Sequence, residues 1–574
     1  MSESVLDAKL RAALQSRAER NLLRRLTGIE SPSTDSSSPS SPLIDFTSND
    51  YLSLTSSPRL RSLFLNKLTA APHLFGPASS RLLLGPTTAH SGSPHAALEQ
   101  RIATHLCAPC ALLCTSGFDA NVSFFSVIPQ AGDVIIHDEL VHASVHDGIR
   151  AWAARHRTAD STFSFAHNSP AALHSVLSDI ARTPSVAAGH ASVFIAVESH
   201  YSMDGTLAPL DRFIAAVEHV FGSNGTDTPN LGAHGNVHLV IDEAHATGLY
   251  GEAGRGRVFQ MQLQHRVLAR VCTFGKALGA SGAAILTTPL IRDYLINYAR
   301  PIIYTTAPTY ATVLAIDSAF DLLVDETCDK LAAHLFDLVA YALDLLRSLL
   351  ERERVPDNLL RLPGHLIGDG TSPSVKTPPA NHSRTSVVHS SPTPNTRPAR
   401  TRPQSDTRST ELSPIIPLLT PHPHALSTFL LSPHNLSPSA LANDHDHNAN
   451  ANGHALKINS TRASLPPVTD LSARGVLATP PAQTQIQGIS ARPITYPTAS
   501  PRVRVCLHAG NTRAEVEALV WGVAGWVKGE MKKIAEEERR RLEEEQRAEE
   551  EREREVQGRR MTERGVRAWM EAKL

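Results

Sequence analysis

The stretch Val271-Cys272-Thr273-Phe274-Gly275-Lys276-Ala277-Leu278-Gly279 decides how the rest of the chain is read. It continues a β-rich run, RVCTFGK (270–276), and delivers one lysine among small and apolar neighbours. An ammonium group is strongly hydrated, so a lysine in such company needs a reason to be there. Poor solvation or a nearby positive centre lowers its pKa and makes it a nucleophile, suited to a Schiff base with a carbonyl compound. The alternative is a lysine that contacts phosphate or faces solvent, and Lys276 alone does not choose between these readings.

Working outward, the same pattern recurs. ALLCTSG (111–117), DVIIHDE (133–139), VFIAVES (193–199) and VHLVIDEAH (237–245) are short apolar runs ending in small or polar residues, separated by helical stretches. Buried parallel strands read this way, and an α/β domain places its chemistry at their carboxyl ends. At one such end, Asp242 precedes Lys276 by 34 residues. A carboxylate and a lysine so placed suit pyridoxal 5'-phosphate (PLP), which acts as an electron sink only while its ring nitrogen is protonated; a nearby carboxylate favours that charged form. Thr273 lies three residues before the lysine. Thr115-Ser116-Gly117-Phe118 follows a strand and opens a helix, where backbone amides can hold a phosphate. His142, in DELVHASVHDG (138–148), offers a flat ring for stacking.

In this order the pieces resemble the α-oxoamine synthase family of PLP enzymes. The resemblance rests on FTSNDYLSL (46–54), GPASSRLLLG (76–85), HAALE (95–99), TSGFDAN (115–121), DELVHAS (138–144), FAHN (165–168), ESHYSMDGTLAPL (198–210), VIDEAHATGLYGEAGRGR (240–257), TFGKALGASGAA (273–284) and RPIIYTTAP (300–308). It implies a fold type I transferase: a large, mainly parallel seven-stranded sheet domain and a smaller α+β C-terminal domain. It implies Lys276 as the Schiff-base lysine, Asp242 beside the ring nitrogen, and His245 and Ser202 on the ring-oxygen side. Gly117 and Phe118 amides and the Thr273 hydroxyl would hold the phosphate. His142 would stack on the ring and help place the acyl group, and Asn49 would contact substrate. Near the end the family has P-T-V-P, a short turn and R-x-R, whose threonine and first arginine receive the substrate carboxylate; in Pro497-Thr498-Ala499-Ser500-Pro501-Arg502-Val503-Arg504 the resemblance implies Thr498 and Arg502 for that role, although the turn between them is shortened by about three residues. FAHN, YSMDG, DEAHATG and IIYTTA most resemble the branch that condenses L-alanine with pimeloyl-CoA to 8-amino-7-oxononanoate, CoA and CO2 for biotin synthesis.

The domain expectation is an N-terminal helix and Ser/Pro linker over 1–44, a PLP-binding domain over 45–310, a small domain over 311–526, and a charged helix and tail over 527–574. Two polar segments, 369–411 and 435–485, read as disordered insertions foreign to the family. Asp444-His445-Asp446-His447 falls within the second and reads as filler rather than a metal site. The first 25 residues carry Glu3, Asp7 and Glu19, which favours a structural helix over a transit peptide.

The net charge of −1 gives no pointer to nucleic acid. Six scattered cysteines in 574 residues argue for a reducing compartment, and Cys107-Ala-Pro-Cys110 lacks the second pair a zinc site needs. The longest apolar run, 331–350, carries His334, Asp337 and Asp344 and reads as an amphipathic helix, not a membrane span. The last residues, Ala572-Lys573-Leu574, are a variant of the Ser-Lys-Leu address and imply a peroxisomal import receptor as partner. The resemblance further implies a homodimer acting on an amino acid and an acyl-CoA. Two other readings stand beside it: an α-oxoamine synthase using glycine or serine with a different acyl chain, and a non-catalytic partner subunit, against which the retention of Lys276, Asp242 and His245 counts.

Overall fold

The computed structural model describes residues 4–20, 22–24, 43–83, 93–157, 159–223, 228–367, 412–431, 489–490, 492–494 and 501–572. The Ser/Pro linker 31–42, the segments 369–411 and 435–485 with Asp444–His447, Thr498, and Lys573 and Leu574 lie outside the described residues. The strands are β1 (Ile44–Asp45), β2 (Cys110–Cys114), β3 (Val134–Asp138), β4 (Thr162–Phe165), β5 (Val193–Glu198), β6 (Val237–Asp242), β7 (Ala269–Thr273), β8 (Ala283–Thr287), β9 (Ile415–Leu419), β10 (Ile489–Ser490), β11 (Arg492–Ile494) and β12 (Arg502–Cys506).

Seven of them form one sheet in the order β2-β8-β7-β6-β5-β3-β4. The pairs from β7 through β4 are parallel, while β8 runs antiparallel to both β2 and β7. Alternate residues of each strand serve opposite faces. Ile136, Ile195, Leu239 and Ile241 pack with Leu173, Leu177, Phe213 and Val217 of the helices Pro170–Ile180 and Leu210–Phe221. Ile135, Phe194, Ala196, Val240 and Val271 pack with Phe124, Val145, Ile149 and Trp152 of the helices Gly117–Val127 and Ala143–His156. Both faces being covered, the strands read as apolar runs without alternation, as the sequence led us to expect. Truncating a fully buried anchor such as Trp152 to alanine should cost about 3–5 kcal/mol.

A second, three-stranded antiparallel sheet, β11-β12-β9, belongs to the C-terminal part. It shares a core with the helix Thr327–Arg352, through Leu335, Val339 and Leu346, and with Val516, Leu519, Val523 and Trp526 of the helix Arg513–Glu571. Thr512 and Glu515 form a reciprocal capping box that starts this last helix. The helix has 59 residues, about 88 Å at 1.5 Å per residue, and from Lys532 onward its described side chains are exposed. The charged run 527–560 is therefore the middle of one continuous helix. Its outer part is laced by pairs such as Arg539–Glu543 at 3.6 Å and Arg541–Glu545 at 3.5 Å, each of small energetic value. Among the described residues, no helix is long and apolar enough to cross a membrane, and no group of His, Cys, Asp and Glu suits a metal ion.

Candidate active site

Glu198, Asp242 and Thr273 are the last residues of β5, β6 and β7. The parallel register sets Glu198 beside Asp242 and Asp242 beside Val271, so one sheet edge gathers these groups below the turn that carries Lys276. The alternation of the chain then separates Asp242 from Glu243. Glu243 points away from the cleft, is fully buried, accepts from the Val258 amide at 2.8 Å and lies 3.6 Å from Arg270 Nη1. It holds the backbone that presents Asp242 rather than facing the site itself.

Lys276 keeps a partial opening to the cleft, yet its one described hydrogen bond is a long contact, 3.4 Å, from Nζ to Thr273 Oγ1. Loss of water around the ammonium lowers its pKa, against the fields of Asp242 and Glu198, which favour the charged form; Arg504 adds to the lowering. Asp242 is nearly buried and fixed at both oxygens. Oδ2 accepts from Asn121 Nδ2 at 2.7 Å and Oδ1 from the Ala244 amide at 2.8 Å. Glu198 is fully buried and its carboxyl is pushed well above the usual range, first by desolvation and then by Asp242. Of this neighbouring pair, Glu198 favours the neutral form.

At the other end, Ser116 caps the helix Gly117–Val127 by accepting from the Asp119 amide. The Gly117 and Phe118 amides lead this helix and have no acceptor among the described residues. A Cβ on Gly117 would lie 2.4 Å from Thr273 Cγ2, so only glycine lets the helix start approach β7 so closely. His142 Nδ1 is 2.7 Å from Ser144 Oγ, and the same serine accepts from Asn121 Nδ2 at 3.0 Å. One asparagine therefore ties Asp242 to the residue that orients the His142 ring. Phe118 stands edge-on to that ring, with centroids 6.3 Å apart.

His245 is buried, and burial followed by the positive field of Lys276 lowers its pKa well below the ordinary value. Its Nδ1 meets Tyr51 Oη at 2.7 Å. Arg504 closes this side. Its Nε donates to the Ser202 carbonyl at 2.6 Å, and Nη2 donates to Asn49 Oδ1 at 2.8 Å. Among the described residues, no carboxylate pairs with Arg504.

The structure thus brings together Lys276, Asp242, His245, His142, Gly117, Phe118, Thr273, Ser202 and Asn49. Of the two R-x-R arginines it is Arg504, not Arg502, that meets Asn49 and Ser202. Arg502 lies nearer Asp204, whose charge favours its protonated form against the lowering by burial. The two share a face of β12 two residues apart, so spacing alone does not distinguish them. Tyr51, Asn121, Ser144, Glu198 and Arg504 were not singled out from sequence, although Tyr51, Asn121, Ser144 and Glu198 sit inside the motifs SNDYL, TSGFDAN, DELVHAS and ESHYSMDG.

The arrangement fits PLP on three independent features: a poorly solvated, sparsely bonded amine, a fixed carboxylate whose field reaches it, and a helix start with two open amides where a Cβ would collide. Comparison with known proteins agrees. Residues 41–355, more than half of the chain, match the family described as "Aminotransferase class I and II". The chain is 42% identical over 343 residues to the 8-amino-7-oxononanoate synthase of Emericella nidulans, covering 59% of this chain and 76% of that protein. It is 33% identical over 299 residues to the aminoacyl transferase sphA of Byssochlamys spectabilis, covering 52% of this chain and 59% of that one. In fold it is similar to serine palmitoyltransferase from S. paucimobilis, solved with PLP and myriocin bound, with a TM-score of 0.57 and 17% identity over 92% of this chain and all of that chain.

Proposed function

Because this chain belongs to the class I and II aminotransferase family, as a PLP-dependent acyltransferase of the α-oxoamine synthase type, we propose that it condenses L-alanine with pimeloyl-CoA. The products are 8-amino-7-oxononanoate, CoA and CO2, a step toward biotin. The observation that carries the reading is the poorly solvated Lys276 amine lying in the field of the Asp242 carboxylate, and the 42% identity to the Emericella nidulans synthase supports the choice of substrates.

When bound, PLP supplies an electron-accepting ring for the charge left on the amino acid's α-carbon. Asp242, held by Asn121 and the Ala244 amide, would be the carboxylate that favours a proton on the ring nitrogen. The Gly117 and Phe118 amides and Thr273 would hold the phosphate. Lys276, its pKa lowered, has an amine ready to take the α-proton. Arg504, buried and free of carboxylate partners among the described residues, takes the amino acid's carboxylate, with Asn49 bracing its guanidinium. His142, tied to Ser144, would offer its ring for stacking and limit the space open to the thioester.

Purified enzyme should release CoA with L-alanine and pimeloyl-CoA faster than with glycine, L-serine or other acyl-CoAs. Equal or greater turnover of another pair would remove this reading and favour the second one. That second reading, a different amino acid and acyl chain, is supported by the 33% identity to the sphA aminoacyl transferase.

We extend the proposal to assembly and location. Phe75, Leu83 and Tyr304 are exposed. They lie on segments joined by the Ala307 amide to the Ser79 carbonyl and the Tyr310 amide to the Gly76 carbonyl. Such a patch fits a second copy of the chain, and a monomeric mass by light scattering would count against it. Ala572-Lys573-Leu574, beyond a helix exposed from Lys532, supports peroxisomal import. A reporter ending in these residues that stays cytosolic would oppose it.

A further inference from the structure

The FAHN motif has no part in the chemistry above, yet it lies in a dense polar cluster. His167 follows β4 and is flanked by two carboxylates. Nδ1 is 2.9 Å from Asp138 Oδ1, and Nε2 is 3.2 Å from Asp204 Oδ2 and 2.7 Å from Thr206 Oγ1. The Thr206 hydroxyl donates to Asp204 Oδ1 at 2.9 Å, so toward His167 it can only accept. Asp138 is fully buried, and its carboxyl oxygens accept from the Leu140 and Asn168 amides. Each ring nitrogen thus faces a carboxylate, which favours hydrogen on both, while Asn168 Nδ2 lies 3.2 Å from Nε2.

The far side of the cluster is the turn Tyr201–Thr206. Tyr201 sets its ring edge-on to His167 at 4.4 Å between centroids, and its amide donates to the Thr206 carbonyl at 2.9 Å. Gly205 has φ +70°, and a Cβ there would lie 2.4 Å from the Ile415 carbonyl, so the turn is wedged against the start of β9. The same turn carries Ser202, whose carbonyl receives Arg504 Nε.

We propose that His167 is a positioning residue: an imidazolium clamped between Asp138 and Asp204 that fixes the Tyr201–Thr206 turn, and through it Ser202 and the Arg504 guanidinium at the amino-acid end of the site. The proposal rests on the function proposed above for its consequence, and on the cluster alone for the state of His167. The groups facing the imidazole and its partner are Asp138 and Glu139 at the end of β3, Tyr201 and Asp204 on the turn, His365 of the short helix Gly364–Ile367, and Arg502 of β12. The two carboxylates outweigh burial and raise the His167 pKa to about 9. A clamp of this kind holds through neutral pH and opens in the alkaline range.

The test uses holoenzyme and follows the change in the cofactor's absorption as amino acid is added, from pH 6.5 to 10. The wild-type protein should bind amino acid with constant affinity to about pH 8 and lose it with a midpoint near 9. Asp204→Asn, which keeps the shape and removes one carboxylate, should move that midpoint down by about one unit or more. His167→Gln should weaken amino-acid binding about tenfold with cofactor affinity nearly unchanged, and should abolish the limb. A purely architectural residue would lower the melting temperature in both variants and leave the position of the limb alone; that result overturns the proposal. Nitrogen NMR of the His167 ring separates this from failure of the functional reading. Two protonated ring nitrogens at pH 7.5 support the clamp even in a protein that takes no cofactor, and one overturns it.

Discussion

Gly117→Ala is the sharpest test of how the phosphate end of the cleft is built. The glycine has no left-handed φ, so alanine meets no backbone strain, and its place at a helix start would by propensity gain up to about 1 kcal/mol. Against this, the new Cβ would lie 2.4 Å from Thr273 Cγ2, where ordinary contacts need about 3.4 Å or more. Either the helix or the threonine methyl must move by about 1 Å, and overpacking of this kind costs about 1–3 kcal/mol. The net loss should be about 0.5–2 kcal/mol in urea unfolding of the cofactor-free protein. Thr273→Ser removes the offending methyl but keeps Oγ1. In that background Gly117→Ala should be neutral or slightly stabilising, giving a coupling of about 1–3 kcal/mol in the double-mutant cycle. PLP affinity should follow the same order, about tenfold weaker for each 1.4 kcal/mol by which the cradle is displaced. Equal cost in both backgrounds would refute the contact as the reason for glycine.

Lys276→Ala should lower turnover by about a thousandfold or more and remove the yellow absorption band of purified protein, while circular dichroism stays unchanged. Arg504→Lys should raise the amino acid KM about tenfold with a smaller change in kcat, since a point charge replaces a fork; Arg502→Lys should leave that KM within about twofold. His167 and Asp204 also make stability depend on pH. The folded His167 pKa of about 9 lies above the unfolded 6.5, so its contribution is fully present below 6.5 and is lost as pH rises through 9. The shift corresponds to about 3 kcal/mol, to be read as unfolding free energy against pH in wild type and His167→Gln, whose curves should converge above pH 9. Against burial, which raises it, Asp204 is held down to about 2 by the same pairing and by Thr206, so its share is present above pH 3.8 and is lost as pH falls through 2; the two shifts describe largely one interaction and do not add.

Much of the architecture was legible because the strands are buried on both faces. VFIAVE and VHLVID carry no alternation, which points to a covered parallel sheet, and each ends in the carboxylate that the register later sets side by side. The chemistry at Asp242 and Lys276 was legible for the same reason: a charged residue at the close of such a run has no inert place to go. Neighbours contributed from elsewhere were not. Asn121 sits mid-helix in TSGFDAN, and only the packing of that helix against β6 aims its amide at Asp242 and Ser144 together.

The two arginines of β12 show the limit most clearly. Arg502 and Arg504 point to one side of one strand, both are buried, and the family pattern makes the first the natural choice. What separates them is the partner across the gap. Asp204 is already bonded to His167 and lies toward Arg502, so that arginine's field is spent within the protein. Among the described residues Arg504 meets neutral acceptors, the Ser202 carbonyl, the Asn49 amide oxygen and the Tyr51 hydroxyl, which orient a guanidinium without cancelling its charge. A cation held in place by neutral groups keeps its affinity for an incoming carboxylate, whereas one beside an aspartate does not. Asp204→Asn should then take one negative charge away from Arg502 as well as loosen His167. If carboxylate binding in that variant migrates to Arg502, Arg504→Lys will cost less in the Asp204→Asn background than in wild type; an unchanged cost would mean that the aspartate plays no part in choosing between them.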